Sequence, residues 1–232
     1  MKTKTIMITG ANRGIGLGLT KSYLQLGHTV IATYRKDKES LDALKSDFSN
    51  TLFTFPMDIQ HEDSVKSTFK DISQKTGQID LLINNAGRYG SNQASVKSTM
   101  DFTDMLVTYQ TNTLGPLLVT KYALSLIEKG ADKKIVHISS KVGSIADNGM
   151  GGAYGYRASK CALNMINKNL SLELPHITTV VMHPGWVQTD MGGANAPITI
   201  EESVNALVQT IDRFATNDSG GFFERTGEPI PF

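Results

Sequence analysis

The sequence predicts an α/β fold: a doubly wound parallel sheet of seven strands flanked by helices. Two observations predict it. Seven short β-rich apolar runs alternate along the chain with segments of helical period. The first run passes through a glycine-rich turn straight into a helix, the arrangement by which such sheets hold a dinucleotide at the carboxyl ends of their strands. Size agrees, because 232 residues, 40% hydrophobic and 19% charged, suit one large domain over 1–232 better than two small ones.

Residues 5–9 form the first run and lead into Gly10-Ala11-Asn12-Arg13-Gly14-Ile15-Gly16, with a helix over 17–26. Glycines at this junction let the backbone approach a pyrophosphate, and the helix N-terminus adds free N–H groups and a favourable dipole. Leu19 stands where the last glycine of the common Gly-x-Gly-x-x-Gly fingerprint falls, so that rule is not strictly met; a glycine turn without ligand is the alternative. The second strand, 28–33, ends in Tyr34-Arg35-Lys36. An acid at this point favours a free ribose 2′-hydroxyl and an arginine accommodates a 2′-phosphate. No acid is present, so Arg35, helped by Arg13, points to NADP(H) over NAD(H), unless both arginines are simply solvated.

A helix over 38–48, a strand over 51–57 and a helix over 62–76 continue the alternation. Asp58, with Ile59 beside it, follows the third strand, where a strand end meets the adenine; an acid before a helix is equally an ordinary N-cap. The fourth strand, 79–83, closes on Asn84-Asn85-Ala86-Gly87, whose small residues let the backbone pass close to a ribose, or whose asparagines only tie adjacent loops together. The polar stretch 89–101 reads as a loop and short helix covering one side of the cleft, with no chemistry to name. Residues 104–128 read as a long helix interrupted at Gly115-Pro116. Proline inside a helix leaves a carbonyl unpaired and kinks it, so Asn112 at that kink would hold a water or a neighbouring side chain, or be a satisfied core residue.

The fifth strand, 134–139, delivers Ser140, and a glycine-containing segment, 147–152, separates it from Tyr156-Arg157-Ala158-Ser159-Lys160. These open a helix that runs to 174 and stops at Pro175. Residues four apart lie on one face of a helix, so the Tyr156 phenol and the Lys160 ammonium project together. A free tyrosine has a pKa of about 10, and a cation held close lowers it, which suits the pair to general acid/base work. A Ser140 hydroxyl near the phenol would hydrogen-bond the oxygen of a carbonyl or alcohol. Taken alone, Tyr-x-x-x-Lys is also an ordinary helix start. The sixth strand, 178–182, leads into His183-Pro184-Gly185-Trp186-Val187-Gln188-Thr189 at the expected nicotinamide end; His183, a lone histidine beside a strand end, reads as structural. A helix over 201–214 and a closing strand over 220–223 complete the alternation.

Composition removes several classes. Net charge is +1 with no Lys/Arg-rich block, so there is no electrostatic footprint for nucleic acid or an anionic membrane, and a small molecule is the expected partner. Lys2 and Lys4 ahead of Ile6-Met7-Ile8 imitate a signal peptide, but Thr9-Gly10 breaks the run and no apolar stretch of spanning length follows. Cys161 is the only cysteine, which precludes a disulfide framework; a cytoplasmic setting is expected, and no metal ligand set is assigned.

Together Thr9-Gly10-x-x-x-Gly14-Ile15-Gly16, Asn84-Asn85-Ala86-Gly87, Asn112, Ser140, Tyr156-x-x-x-Lys160 and Pro184-Gly185 resemble the short-chain dehydrogenase/reductase family over nearly the whole chain. The resemblance implies a Rossmann-type sheet, and its glycine pattern is the one present here. It implies that Tyr156 is the acid/base and that Lys160 lowers its pKa and holds the nicotinamide ribose. Ser140 would orient the substrate oxygen, Asn112 would hold a proton-relay water, and Thr189 would touch the carboxamide, with Pro184, Gly185 and Val187 alongside. Residues 154–160 and 183–193 are similar to the sniffer-type carbonyl reductases and the bacterial C-factor proteins. That subgroup implies NADPH-dependent reduction of a carbonyl substrate (aldehyde, ketone or quinone), and family habit implies a homodimer or homotetramer paired through the helices from 104 and 157. A dinucleotide-binding signalling protein of C-factor type and an alcohol dehydrogenase running oxidatively are the competing readings. The intact Asn112, Ser140, Tyr156 and Lys160 favour the enzyme, since a pure binder has no need of a proton donor.

Overall fold

The computed structural model describes residues 3–91, 96–97 and 99–232. Lys2, and residues 92–95 and 98 of the loop and short helix expected over 89–101, lie outside the described residues. Strands β1 (Thr5–Ile8), β2 (Thr29–Tyr34), β3 (Leu52–Pro56), β4 (Leu81–Asn84), β5 (Lys134–Ile138), β6 (Thr178–His183) and β7 (Phe222–Glu224) form one parallel sheet in the order β3-β2-β1-β4-β5-β6-β7. This is the Rossmann-type doubly wound sheet. The order reverses between β1 and β4, and the crevice beyond the carboxyl ends of those two strands is where such sheets take their ligands.

The strands are apolar on both faces because helices cover both. Ile6, Ile8, Val30, Ile83 and Met182 pack on one side against α1 (Gly14–Gln25) and α7 (Ile200–Arg213), with Leu41 of α2 (Glu39–Lys45). Met7, Ile31, Leu82 and Ile135 pack on the other against α3 (Glu62–Lys75), α5 (Gly115–Ile127) and Leu170 of α6 (Tyr154–Glu173). A Thr199/Glu202 capping box starts α7 and satisfies two backbone donors reciprocally.

The helix expected over 104–128 is three pieces: α4 (Phe102–Tyr109), a π-helical turn (Gln110–Leu114) and α5. Pro116 has no N–H to give the carbonyl four residues earlier, which is that of Asn112, and the wider turn absorbs the mismatch. Asn112 therefore sits at a break in the helix, fully buried. Helix α6 begins at Tyr154, after Gly151, Gly152 and Ala153 all adopt left-handed backbone, with φ of +65°, +67° and +44°.

Candidate active site

The glycine turn is shaped by contact rather than by flexibility alone. Gly10 and Gly14 have φ of +62° and +53°. A Cβ on Gly16 would lie 2.2 Å from the Gly10 carbonyl oxygen and 2.5 Å from Asn85 Nδ2, so nothing larger than glycine fits. Asn85 Nδ2 donates to the carbonyls of Thr9 (2.9 Å) and Gly10 (3.1 Å), and the N–H groups of Asn85 and Ala86 both donate to the buried Thr9 hydroxyl (3.0 Å each). Of the two roles open to the asparagine in the sequence, the structure displays the tie between loops. Ile15 packs against the core face covered by α1. The β6–α7 loop reaches the turn from the far side: a Cβ on Gly14 would stand 3.3 Å from Thr189 Cγ2, and Arg13 pairs with Asp190 at 2.8 Å. Pro184 is fixed by the Ser203 hydroxyl donating to its carbonyl (2.7 Å), Gly185 adopts φ +89°, and Val187 is buried opposite Ile198.

On the β2–β3 side, Arg35 is exposed and borders a cavity of about 430 Å³ together with Lys36, Asp58, Ser64 and Thr68. Asn12 Nδ2 donates to the Asp37 carbonyl (2.8 Å), holding the glycine turn to the loop after β2. The Asp58 carboxylate accepts from Gln60 N–H (3.0 Å), so it folds the β3–α3 turn; the N-cap of α3 is His61. Ile59 is buried, and a Cβ on Gly115 would meet its Cδ1 at 2.8 Å, which packs the start of α5 beneath it.

The expected catalytic residues converge at the carboxyl ends of β4 and β5. Asn112 Oδ1 accepts from Arg88 N–H (2.9 Å), and its Nδ2 donates to the Arg88 carbonyl (2.8 Å) and to Ser159 Oγ (3.0 Å). Both ends of that side chain are thus bound within the protein. A Cβ on Gly87 would stand 3.3 Å from Asn112 Oδ1 and 3.6 Å from Lys160 Nζ, which brings the β4 loop, the π-helical turn and α6 to one point. Ser140 begins the short turn Lys141–Gly143, and its hydroxyl stands beside the Tyr156 phenol and acts to lower its pKa.

The electrostatics correct one expectation. Burial pushes the Tyr156 phenol up to about 12, against the opposing effect of the Ser140 hydroxyl and with the Tyr89 phenol pushing the same way as burial. No depression by Lys160 is present. Its ammonium lies 5.8 Å from the Tyr156 ring centre and donates to the Ile138 carbonyl (2.8 Å), and desolvation alone lowers it to about 8. His183, lowered to about 4 by burial and by the Lys141 and Arg225 charges, is neutral near pH 7, in keeping with a structural role.

A family model described as "short chain dehydrogenase" matches residues 4–197. The chain belongs to the short-chain dehydrogenase family. This oxidoreductase family member is 43% identical over 159 residues to "C-signal" of Myxococcus xanthus, covering 68% of the chain and 95% of that protein. Its fold is similar to the carbonyl reductase Sniffer of D. melanogaster, with a TM-score of 0.93 and 35% identity over 100% of both chains. A carbonyl reductase from Pseudomonas aeruginosa PAO1, solved in complex with NADP, is similar at TM-score 0.84 and 30% identity over 100% of both chains. No helix among the described residues is long and apolar enough to cross a membrane.

Sequence reasoning missed Tyr89, whose ring centre lies 4.6 Å from that of Tyr156. The available signal was an aromatic two residues past the Asn-Asn-Ala-Gly turn, at the same sheet edge as every other motif.

Proposed function

We propose that this short-chain dehydrogenase reduces carbonyl compounds (aldehydes, ketones or quinones) at the expense of NADPH. One observation carries the reading: the Tyr156 phenol stands beside the Ser140 hydroxyl at the carboxyl edge of the sheet, with the Lys160 ammonium 5.8 Å from its ring centre. The similarity to carbonyl reductases, one of them in complex with NADP, supports the same direction and cofactor.

The residues fit the dinucleotide. Gly16 admits no Cβ, Gly10 and Gly14 take left-handed backbone, and the opening of α1 has no acid in its first turn, so an anion meets only N–H groups and a favourable dipole there. Arg35 is free to pair with a 2′-phosphate, and Arg13 joins it by exchanging an exposed ion pair with Asp190 that contributes about 0–1 kcal/mol. Asp58 and Ile59 would hold the adenine, Ala86 and Gly87 the ribose, and Val187 and Thr189 the carboxamide end. When bound, the nicotinamide supplies the hydride that reaches the carbonyl carbon. Ser140 donates to the carbonyl oxygen and orients it, and Tyr156 transfers its proton to that oxygen, completing the alcohol. Lys160 would hold the nicotinamide ribose and offset charge left on the phenol, while Asn112 would hold the water that returns a proton. No step requires a metal.

A second reading, a dinucleotide-binding signalling protein, is favoured by the likeness to C-signal alone. The two are separated by following NADPH consumption with a panel of aldehydes, ketones and quinones. Turnover with NADPH exceeding that with NADH is the expected result; cofactor binding with no turnover on any of them favours the binder. We further propose self-association through α4, α5 and α6, whose Phe102, Leu106, Leu117, Met165 and Leu172 are exposed. Light scattering is expected to give two or four times the chain mass, and only 25.2 kDa monomer would contradict it.

A further inference from the structure

The segment after β4 carries a feature that the reaction does not require. The Tyr89 ring lies 4.6 Å from the Tyr156 ring, tilted by 51°, and is half-buried, so part of it is open beside the acid. The backbone on both sides is pinned. Arg88 gives its N–H and its carbonyl to Asn112, and its guanidinium pairs with Asp104 at the start of α4. The other Asp104 oxygen accepts from Ser91 N–H. Between them Gly90 takes φ +74° and approaches α4 so closely that a Cβ would stand 2.4 Å from Thr108 Oγ1. The backbone that carries the Tyr89 ring is thereby held on both sides by hydrogen bonds, some of them charge-assisted, and an aromatic surface on a fixed backbone binds with less cost of ordering.

We propose that Tyr89 is a specificity-determining residue: an aromatic wall beside Tyr156, held in place by Asp104, that makes the site prefer a flat conjugated carbonyl over a saturated one of the same size. The inference rests on the reductase reading and adds the substrate class to it. A planar substrate whose carbonyl meets Ser140 and Tyr156 can lay its ring against Tyr89 in an offset or edge-to-face contact, which a puckered saturated ring cannot do. Such a contact corresponds to about threefold to tenfold in affinity. Asp104 acts through the segment it holds and touches no reacting atom; it is a positioning residue.

The test uses the full chain at saturating NADPH, with benzaldehyde and cyclohexanecarbaldehyde as a pair matched in carbon number. Tyr89→Leu is expected to raise KM for benzaldehyde about threefold to tenfold while KM for the saturated aldehyde changes by less than about twofold. Tyr89→Phe, which keeps the ring, should preserve the parent's preference, and Asp104→Asn should erode it in the same direction as Leu but less. NADPH titration of each variant reports that the cofactor site is intact. Equal changes for both aldehydes in Tyr89→Leu, with Phe no different from Leu, would show that Tyr89 only braces the site and would overturn the proposal. Failure of the parent to reduce any carbonyl overturns the reductase reading and this one with it, whereas reduction with an unaltered aldehyde ratio removes this one alone.

Discussion

Replacing Lys160 by Met separates what the lysine does for the reaction from what its burial does to the fold. Lys160 is 5% exposed, and desolvation lowers it from 10.5 to about 8. A fall of that size corresponds to about 3 kcal/mol of disfavoured charge, at about 1.36 kcal/mol per pH unit. The sign follows from linkage. The unfolded lysine keeps its proton up to its ordinary value and the folded one releases it near 8, so the unfolded chain binds more protons in between and the parent gains stability as pH rises through that window. Below pH 8 the whole cost stands. Met carries no such group, so the stability of Lys160→Met relative to the parent should decline by about 2.5 kcal/mol between pH 7 and pH 10. Loss of the donor to the Ile138 carbonyl costs the variant about 1–3 kcal/mol at either pH and cancels from that difference. Urea unfolding of both proteins at the two pH values measures it. A difference that does not change with pH, or that changes in the opposite direction, would refute the claim that the lysine is held in a charge-disfavouring site. At pH 7 the variant should also lose turnover and bind NADPH more weakly, the pattern of a residue retained for function against stability.

Three further outcomes follow from the same geometry. Gly16→Ala should abolish NADPH binding, measured by titration calorimetry, because its methyl would displace the Gly10 carbonyl and the Asn85 amide that form the turn; near-parent affinity would contradict the proposed pyrophosphate site. Arg35→Ala should weaken NADPH by about tenfold to a hundredfold while leaving NADH nearly unchanged, since a charge-assisted contact contributes about 1.5–3 kcal/mol, and equal losses for the two cofactors would remove Arg35 from the 2′-phosphate. The rate of reduction should hold through neutral pH and fall as pH rises through about 8, when Lys160 loses its charge, with Tyr156 itself still protonated; a profile that stays flat to pH 10 would contradict the role given to Lys160.

Much of the fold was legible because a parallel sheet covered on both faces writes its strands as unbroken apolar runs: Ile6-Met7-Ile8 and Leu81-Leu82-Ile83 are each fully or nearly fully buried, odd and even positions alike. The glycine turn, Asn84-Asn85-Ala86-Gly87, Ser140 and Pro184-Gly185 were legible for a related reason, since each lies where a strand ends, whereas Asn112, Tyr156 and Lys160 reach the site from helical segments. The breaks in the long helix were not, because a proline announces a disrupted helix without saying whether the chain kinks or widens into a π-helical turn. Tyr89 escaped because its partner, Tyr156, is far along the chain and the loop that carries it reads only as polar. The Tyr156 acidity was misjudged from Tyr-x-x-x-Lys spacing, which sets which face the lysine shares but not where its ammonium ends; here it turns to the Ile138 carbonyl while the phenol is desolvated. Asn85 was legible in one of its two readings, the tie between adjacent loops, which its side-chain amide makes to the glycine turn.

The proton donor is the centre of this account, and Tyr156→Phe tests it with the smallest possible change. The ring and its contact with Tyr89 remain and only the hydroxyl beside Ser140 is lost, so folding and NADPH binding should persist. Turnover of NADPH on an aldehyde that the parent reduces should then fall by about 10²–10⁴-fold, the usual contribution of general acid catalysis. A variant that binds NADPH as the parent does and still reduces that aldehyde at near-parent rate would contradict the mechanism.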